Sequence, residues 1–305
     1  MSMTSQHDKE ATTGVLYALA CYSFWGFSPI YFKLVNHVPS MEVLGHRIVW
    51  SVLMLAGLLW LRRRWGEFAR VVRDFQEMRW LLVSAVLISF NWGTYIYTVQ
   101  SGQILEASLG YYINPLVSVL LGVLFLGETM RRWQMVSLTL ATVATLYLAL
   151  DFGQVPWLAL MLAFSFGFYG LVRKMAPAAP LVGLFVETLM VAPLALLYLA
   201  WLDIDGVGHF GAEGWYTNLM LVAAGLVTML PLLWFTNAAK RLRLATIGFF
   251  QYLAPSLQLV LAVIFYDEVF TPTHAITFAM IWTALAIYST DAWRAHRRLR
   301  RLRDA

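Results

Sequence analysis

Ten apolar stretches separated by short polar gaps run through the chain from one end to the other. Each is close to the roughly 17–25 residues that an α-helix needs to cross a hydrocarbon core of ~30 Å. The pattern predicts an all-α integral membrane protein with ten transmembrane helices. The predicted spans occupy residues 14–35, 41–61, 80–99, 104–126, 133–150, 155–172, 181–202, 215–235, 244–266 and 272–291.

The basic residues lie in alternate gaps between these stretches. Of the 22 Lys and Arg residues, all except Lys33 and Arg47 lie in the two tails or in the gaps after the second, fourth, sixth and eighth stretches. Cytoplasmic loops of membrane proteins carry an excess of Lys and Arg. We therefore predict that both termini are cytoplasmic and that residues 203–214 lie outside.

Composition narrows the class of protein further. Residues are 60% hydrophobic and only 13% charged, whereas a soluble domain carries about 25% charge. The formal net charge of +5 comes from Arg clusters that flank spans, so topology explains it and we expect no nucleic-acid partner. The single cysteine, Cys21, and the His residues are not spaced as a metal site, and no P-loop motif is present. We expect no metal and no cofactor.

The second half of the sequence resembles the first at an offset of about 140 residues. Residues 114–128 align with residues 254–268, and Pro and Glu stand thirteen residues apart in both segments. Residues 23–33 align with residues 164–174 after one residue of slippage. Two matches in the same order at nearly the same offset indicate an internal duplication.

The duplication divides the chain into two halves with five predicted spans each. Because five is an odd number, the second half crosses the membrane in the opposite sense, and we predict inverted repeats. Such repeats are the architecture of secondary transporters, where one repeat rocks against the other to give alternating access. The predicted units are an N-terminal tail (1–13), a first repeat (14–150), a second repeat (151–291) and a basic C-terminal tail (292–305).

Several strings resemble a known family. Ten spans in two halves, with Leu-Gly-Glu128 closing the fourth span, resemble the EamA branch of the drug/metabolite transporter superfamily. One departure is that the second half has Asp267-Glu268 where the first has Gly127-Glu128. Four segments are similar to RarD-like permeases, including Gly-His46-Arg47-Ile-Val-Trp and Tyr111-Tyr112-Ile-Asn114-Pro115; they are residues 42–51, 105–116, 164–174 and 241–252.

The resemblance implies a permease of the bacterial inner membrane that exports small metabolites, amino-acid-like compounds or drugs. Its partners would be a small-molecule substrate and the lipid bilayer. The sequence leaves open the substrate, the direction of transport, coupling to a proton or an exchanged solute, and a homodimer. Two alternatives also stay open. One is a membrane sensor or assembly partner that transports nothing, and the other is a lipid-modifying enzyme, which the short loops disfavour.

Charged side chains inside the spans are the first candidates for substrate binding, because an ionisable group at membrane depth is costly. Lys33 ends the first span, and Glu42, His46 and Arg47 begin the second. Glu42 and His46 share a helical face. These residues either form a cationic wall for an anionic substrate group, or Lys33 and Arg47 reach the outer surface and Glu42 pairs with one of them. His46 either titrates near neutral pH or serves as a hydrogen-bond partner.

Glu187 is the deepest acidic residue of the predicted bundle. An offset of 141 residues matches it with His46, so it is the counterpart of the cluster in the second span. Two interpretations stay open. Glu187 either pairs with Arg173 or Lys174, or it binds an amine or exchanges a proton.

Amides and prolines near the middle of the spans predict a central cavity. Pro115 and Pro255 each remove a helical hydrogen bond, which predicts broken helices. Freed carbonyl groups are tolerated only beside protein or water, so a cavity is expected next to them, with kinks of purely structural role as the alternative. The candidate ligands are Asn91, Asn114 and Gln251, together with the aromatic residues Trp92, Tyr111, Tyr169, Trp234 and Tyr252.

The predicted topology is testable by cysteine labelling. Cysteines placed singly at positions 6, 100, 209 and 303 in a Cys21→Ser background should react with a membrane-impermeant reagent in intact cells only at 100 and 209. Permeabilised cells, the control, should label at all four positions. External labelling at position 6 or 303 would contradict the orientation.

Overall fold

The structure is a computed structural model that describes residues 3–101, 104–150, 155–265 and 272–304. The described residues form helices and contain no β-strand. The helices are α1 (Met3–Leu34), α2 (Ser40–Leu61), α3 (Trp65–Arg73), α4 (Phe75–Gln100), α5 (Ile104–Leu126), α6 (Arg132–Leu150), α7 (Trp157–Met175), α8 (Pro180–Ile204), α9 (Trp215–Arg241), α10 (Leu244–Gln251), α11 (Leu253–Phe265) and α12 (Pro272–Asp304).

Ten segments of these helices are long and apolar enough to cross a membrane, which confirms the predicted all-α fold with ten spans. Helices α10 and α11 together make the ninth span. The start of the predicted second repeat at residue 151 and the Asp267-Glu268 pair lie outside the described residues.

Helix α3 was not predicted from the sequence, because it lies in the charged gap after the second span. One face of it is apolar: Val71 is buried, and the Phe68 ring packs 5.2 Å from the Phe185 ring of α8. The helical spacing of Trp65, Phe68 and Val71 along an otherwise charged segment is the signal that predicts this helix.

The helix contacts follow the same pattern in both halves. When each span is replaced by its counterpart in the other half, the same pairs of helices remain in contact. Helix α2 packs against α8, α5 against α10, and α6 against α12, so each of these spans contacts its own counterpart. Helix α1 packs against α9 and α11, just as its counterpart α7 packs against α4 and α5. The pairing relates the two halves by an approximate twofold axis.

Basic residues and backbone groups join the two halves at one end of the bundle. We call this the arginine-rich end, and it carries residues 62–64, 127–131, 176–179 and 242–243. The Glu128 carboxylate accepts hydrogen bonds from the backbone N–H groups of Leu244 (2.6 Å) and Ala245 (2.9 Å) at the start of α10. A carboxylate suits a helix N-terminus, where the backbone donors are unpaired. The end that carries residues 35–39 and 205–214 is called the opposite end.

The prolines act differently in the two halves. The predicted break at Pro115 is wrong, because α5 continues through this residue. Helix α10 packs closely there, since a Cβ atom on Gly248 would lie 2.7 Å from the Pro115 carbonyl oxygen. The ninth span is interrupted at Tyr252, since Pro255 has no N–H group to donate to the carbonyl of Gln251.

Close packing between α2 and α9 depends on Gly225. A Cβ atom at this position would lie 2.7–2.9 Å from Trp50 and the backbone nitrogen of Ser51. The Ser51 hydroxyl also donates to the Gly225 carbonyl oxygen at 3.1 Å. Because backbone atoms of α2 are in the way, the two helices must separate to admit any side chain.

We therefore predict that Gly225→Ala destabilises the fold by about 1–3 kcal/mol, seen as a lower melting temperature in detergent. Gly57→Ala is the matched control, because nothing lies within 4 Å of a Cβ atom there. Alanine is the better helix former, so this control should keep or raise the melting temperature. Equal behaviour of the two variants would contradict the packing argument.

Candidate functional site

A central cavity of about 150 Å³ lies between spans of both halves. Its lining includes residues from the later parts of α1 and α4, the start of α2 and the first half of α5, so it lies nearer the opposite end. Farther along α7 and α9, toward the arginine-rich end, Tyr169 stacks on Phe235 with ring centroids 5.7 Å apart. The cavity is thus separated from the arginine-rich end by a packed aromatic core.

Arg47 supplies the charge of this cavity. Its Nε atom donates to the Thr228 hydroxyl at 2.7 Å, and its guanidinium lies 5.5 Å from the Phe32 ring centroid and 5.8 Å from that of Trp92. Among the described residues that line the cavity, none is acidic. Aromatic faces and a hydroxyl hold the cation in place, and its charge is left for an anionic ligand.

The amide side chains of the cavity differ in how they are satisfied. Asn91 donates to the Leu162 carbonyl at 3.0 Å and to the Ser165 hydroxyl at 2.9 Å. Gln251 donates to the Ser118 hydroxyl at 3.1 Å, which joins the ninth span to the fourth. The buried Asn114 Oδ1 atom has no hydrogen-bond partner among the described residues. Asn114 is therefore the amide with an acceptor for a ligand N–H or O–H group.

One face of α1, which carries three aromatic rings, forms another part of the wall. Tyr22, Trp25, Ser28 and Phe32 lie along one face of α1, and the Trp25 ring packs 5.7 Å from that of Phe166. These residues were not chosen from the sequence, although their spacing of three and four residues marks a helical face. Other lining residues that sequence reasoning missed are Tyr95, Thr228 and Gln258.

The structure brings together about half of the predicted site residues. Lys33 is exposed, and the remaining predicted residues outside the cavity pack elsewhere in the bundle. The predicted residues that line the cavity are Arg47, Asn91, Trp92, Tyr111, Asn114, Gln251 and Pro255. Those that do not line it are Lys33, His46, Tyr169, Glu187, Trp234, Tyr252 and Pro115.

The predicted cationic wall does not form at the opposite end. Glu42, only 1% exposed, accepts hydrogen bonds at 2.7 Å from both the backbone N–H and the Nδ1 atom of His209. His46 lies 4.0 Å from Glu42 and packs against the Phe210 ring. Glu42 therefore holds the 205–214 loop, while the Arg47 side chain bonds to Thr228. The geometry of α2 separates these side chains, because Arg47 projects from a different face of the helix than Glu42 and His46.

Three other predicted residues lie in the interior of the bundle, outside the cavity. The Tyr252 hydroxyl donates to the Tyr112 carbonyl at 3.3 Å, and the Trp234 ring packs 5.9 Å from that of Phe24. Glu187 forms an ion pair with Arg173, whose Nη1 atom lies 3.2 Å from Glu187 Oε1. The interpretation of Glu187 as the partner of Arg173 therefore agrees with the structure.

A cavity that combines aromatic walls with one cationic group, set within a bundle of ten apolar spans, agrees with a multi-pass membrane transport protein. The profile of the EamA-like transporter family matches residues 12–150 and 155–290, and the chain belongs to this family. The two matched segments confirm two repeats and the predicted resemblance.

Bacterial relatives match over nearly their whole length. The chain is 48% identical to an "Uncharacterized transporter" of Vibrio cholerae, over 97% of this chain and 98% of the relative. It is 46% identical to "Protein RarD" of Escherichia coli, over 95% and 98%. It is 31% identical to "Chloramphenicol-sensitive protein RarD" of Pseudomonas aeruginosa, over 93% and 96%. The chain is therefore a multi-pass bacterial membrane protein of the RarD-like type.

One solved structure has the same fold. A crystal structure of another protein superposes with a TM-score of 0.69, over 91% of this chain and 97% of that one. The two sequences are 18% identical, so the likeness concerns the fold alone.

The two central amides should respond differently to replacement by leucine, which is close to both in volume. Asn114→Leu removes an acceptor that has no protein partner, so we expect lost ligand binding with a melting temperature within a few degrees of the wild type. Gln251→Leu removes the bond to Ser118, worth about 1 kcal/mol, so its melting temperature should fall as well. Differential scanning fluorimetry in detergent with a metabolite mixture measures both effects. Unchanged ligand binding by Asn114→Leu would remove Asn114 from the site.

Proposed function

We propose that this protein is a secondary transporter of the bacterial inner membrane that exports small, partly apolar organic molecules carrying an anionic group. The observation that carries the proposal is the half-buried Arg47 guanidinium in a cavity with aromatic walls and no acidic lining residue among those described. An aromatic wall favours an apolar body, while the cation favours a carboxylate or a similar group. Amino-acid-like compounds and drugs with such a group fit this chemistry.

Alternating access is the mechanism that this architecture supports. The cavity lies nearer the opposite end, and contacts such as Glu128 with the start of α10 close the arginine-rich end. Five spans in each half require inverted repeats. If each repeat took the conformation of the other, the open end of the bundle would become the closed end, and the closed end would open. A state closed at the opposite end would then arise by rocking the same helix pairs. In this proposal both termini and the arginine-rich end are cytoplasmic, and the structure faces outward.

The energy source and the direction of transport belong to the same proposal. The sequence has no P-loop motif for nucleotide hydrolysis, so a gradient or an exchanged solute drives transport. Export is proposed from the resemblance to the EamA branch of the drug/metabolite transporter superfamily, and the substrate class is proposed from the chemistry of the cavity.

Replacing Arg47 tests the proposal directly. Purified protein in liposomes loaded with a metabolite mixture should release organic anions, measured by mass spectrometry of the external medium. Arg47→Gln should reduce this release to the level of protein-free liposomes, because the neutral amide no longer attracts an anion. Arg47→Lys should retain part of it, since the charge remains but the planar hydrogen-bonding group is lost.

Lys33→Gln is the matched control, because it removes a cationic charge from an exposed residue outside the cavity. This variant should transport at close to the wild-type rate. Normal release of organic anions by Arg47→Gln, with wild-type amounts of folded protein, would overturn the anionic substrate class.

A further inference from the structure

A second, smaller cavity lies beside the central one and contains a buried acid. Its volume is about 10 Å³, close to what a single water molecule requires. Trp92 and Leu232 line both cavities and form the partition between them. Glu187 lines the small cavity, so a carboxylate lies one layer of side chains away from the candidate substrate site.

The Glu187 carboxylate is buried without the full set of hydrogen bonds that a structural ion pair requires. Glu187 is 2% exposed and its partner Arg173 is 0% exposed. Arg173 Nη1 lies 3.2 Å from Oε1, but among the described residues no group completes a hydrogen bond to either carboxylate oxygen. The hydroxyls of Ser84 and Tyr169 also lie next to the carboxylate, and neither hydroxyl has another hydrogen-bond partner among the described residues. A hydroxyl group both donates and accepts hydrogen bonds, so these neighbours suit the Glu187 carboxyl group in either protonation state.

We propose that Glu187 is the proton-exchange site of this transporter, and that its protonation opens the arginine-rich end. The proposal rests on the proposed transport function and names its coupling ion as the proton. A proton that reaches the site from solvent binds the carboxylate and forms a neutral carboxylic acid, while Arg173 keeps its charge. Other titratable groups nearby are Tyr169 of α7, Cys21 of α1 and Lys240 of α9.

Charge around Arg173 explains why protonation would favour opening. Lys174 donates to the carbonyls of Ala239 and Leu242, and Lys240 donates to the carbonyl of Ala176, so two more cations lie close to Arg173 at this end. Neutralising Glu187 leaves a fully buried guanidinium without an opposite charge. Water entering from the arginine-rich end relieves that penalty, and the closed arrangement of α7, α8 and α9 is weakened.

Trp92 provides the connection to substrate. One side of its ring faces the Arg47 guanidinium, 5.8 Å from the ring centroid, and the residue also lines the cavity of Glu187. A ligand that moves Trp92 or Arg47 therefore alters the access of water to Glu187. The matching position in the other half is His46, also a titratable residue beside an acid, Glu42.

The first test observes the proton itself and needs no substrate. Infrared difference spectra between alkaline and mildly acidic pH should show a carboxylic acid carbonyl band in the purified wild type that is missing in Glu187→Gln. Glu77→Gln is the matched control, because Glu77 is also a buried acid, paired with Arg70 at 2.7 Å away from both cavities. It should keep the band. A spectrum of Glu187→Gln identical to that of the wild type overturns the proposal.

The second test observes opening at the arginine-rich end. Ala178, 0% exposed in the loop between α7 and α8, is replaced by Cys in a Cys21→Ser background. Because maleimide reacts with the thiolate, whose fraction falls on acidification, each labelling rate is divided by the rate of the same variant denatured in detergent at the same pH. This ratio should rise about tenfold on acidification, as a two-state population shift allows, and should be high at every pH after Glu187→Gln. Glu187→Asp, which retains a carboxylate, should keep the pH dependence. Equal pH dependence with Gln at 187 overturns the proposal.

The two proposals fail in different ways. Normal organic-anion release by Arg47→Gln with a titrating Glu187 contradicts the substrate class alone. A protein that transports in liposomes but lacks the Glu187 band contradicts the proton site alone.

Discussion

The cost of placing charge away from water organises this bundle. Each of three charged groups within the spans is held by a specific partner: Arg47 by Thr228 and aromatic rings, Arg173 by Glu187, and Glu42 by His209. An ionisable side chain in the hydrocarbon region is tolerated only with such a partner or with water. The three sites therefore fix where the helices contact one another, and they leave Arg47 as the charge that faces the cavity.

Much of the fold followed from the sequence, because the bilayer imposes a simple rule on span length and composition. The ten spans and the two repeats were predicted correctly for that reason. Helix α3 was missed because its apolar face is short and lies among charged residues. Pro115 did not break α5, and α10 packs closely against α5 at this residue. The order of apolar and polar residues along the chain shows which segments prefer lipid. Helix α3 and the unbroken α5 depend instead on contacts between segments that are distant in sequence.

The candidate site was predicted less completely for the same reason. Arg47, Asn91, Asn114 and Gln251 were identified because polar groups at membrane depth are rare. The pairing of Glu42 with His209 was not, because the partners stand 167 residues apart and the loop has no pattern that reveals its path. Aromatic residues were the hardest to assign, since packing and ligand contact demand the same side chains.

Glu128 holds the start of α10 mainly through backbone N–H groups, at 2.6 and 2.9 Å, whereas the Arg243 Nε atom lies farther away, at 3.8 Å. Every residue except proline supplies this donor. Selection on the contact therefore falls almost entirely on the acid. Residues 244 and 245 are free to drift under the demands of packing alone, with proline as the forbidden substitution. Related chains are thus able to diverge along the first turn of this helix while the same closure persists.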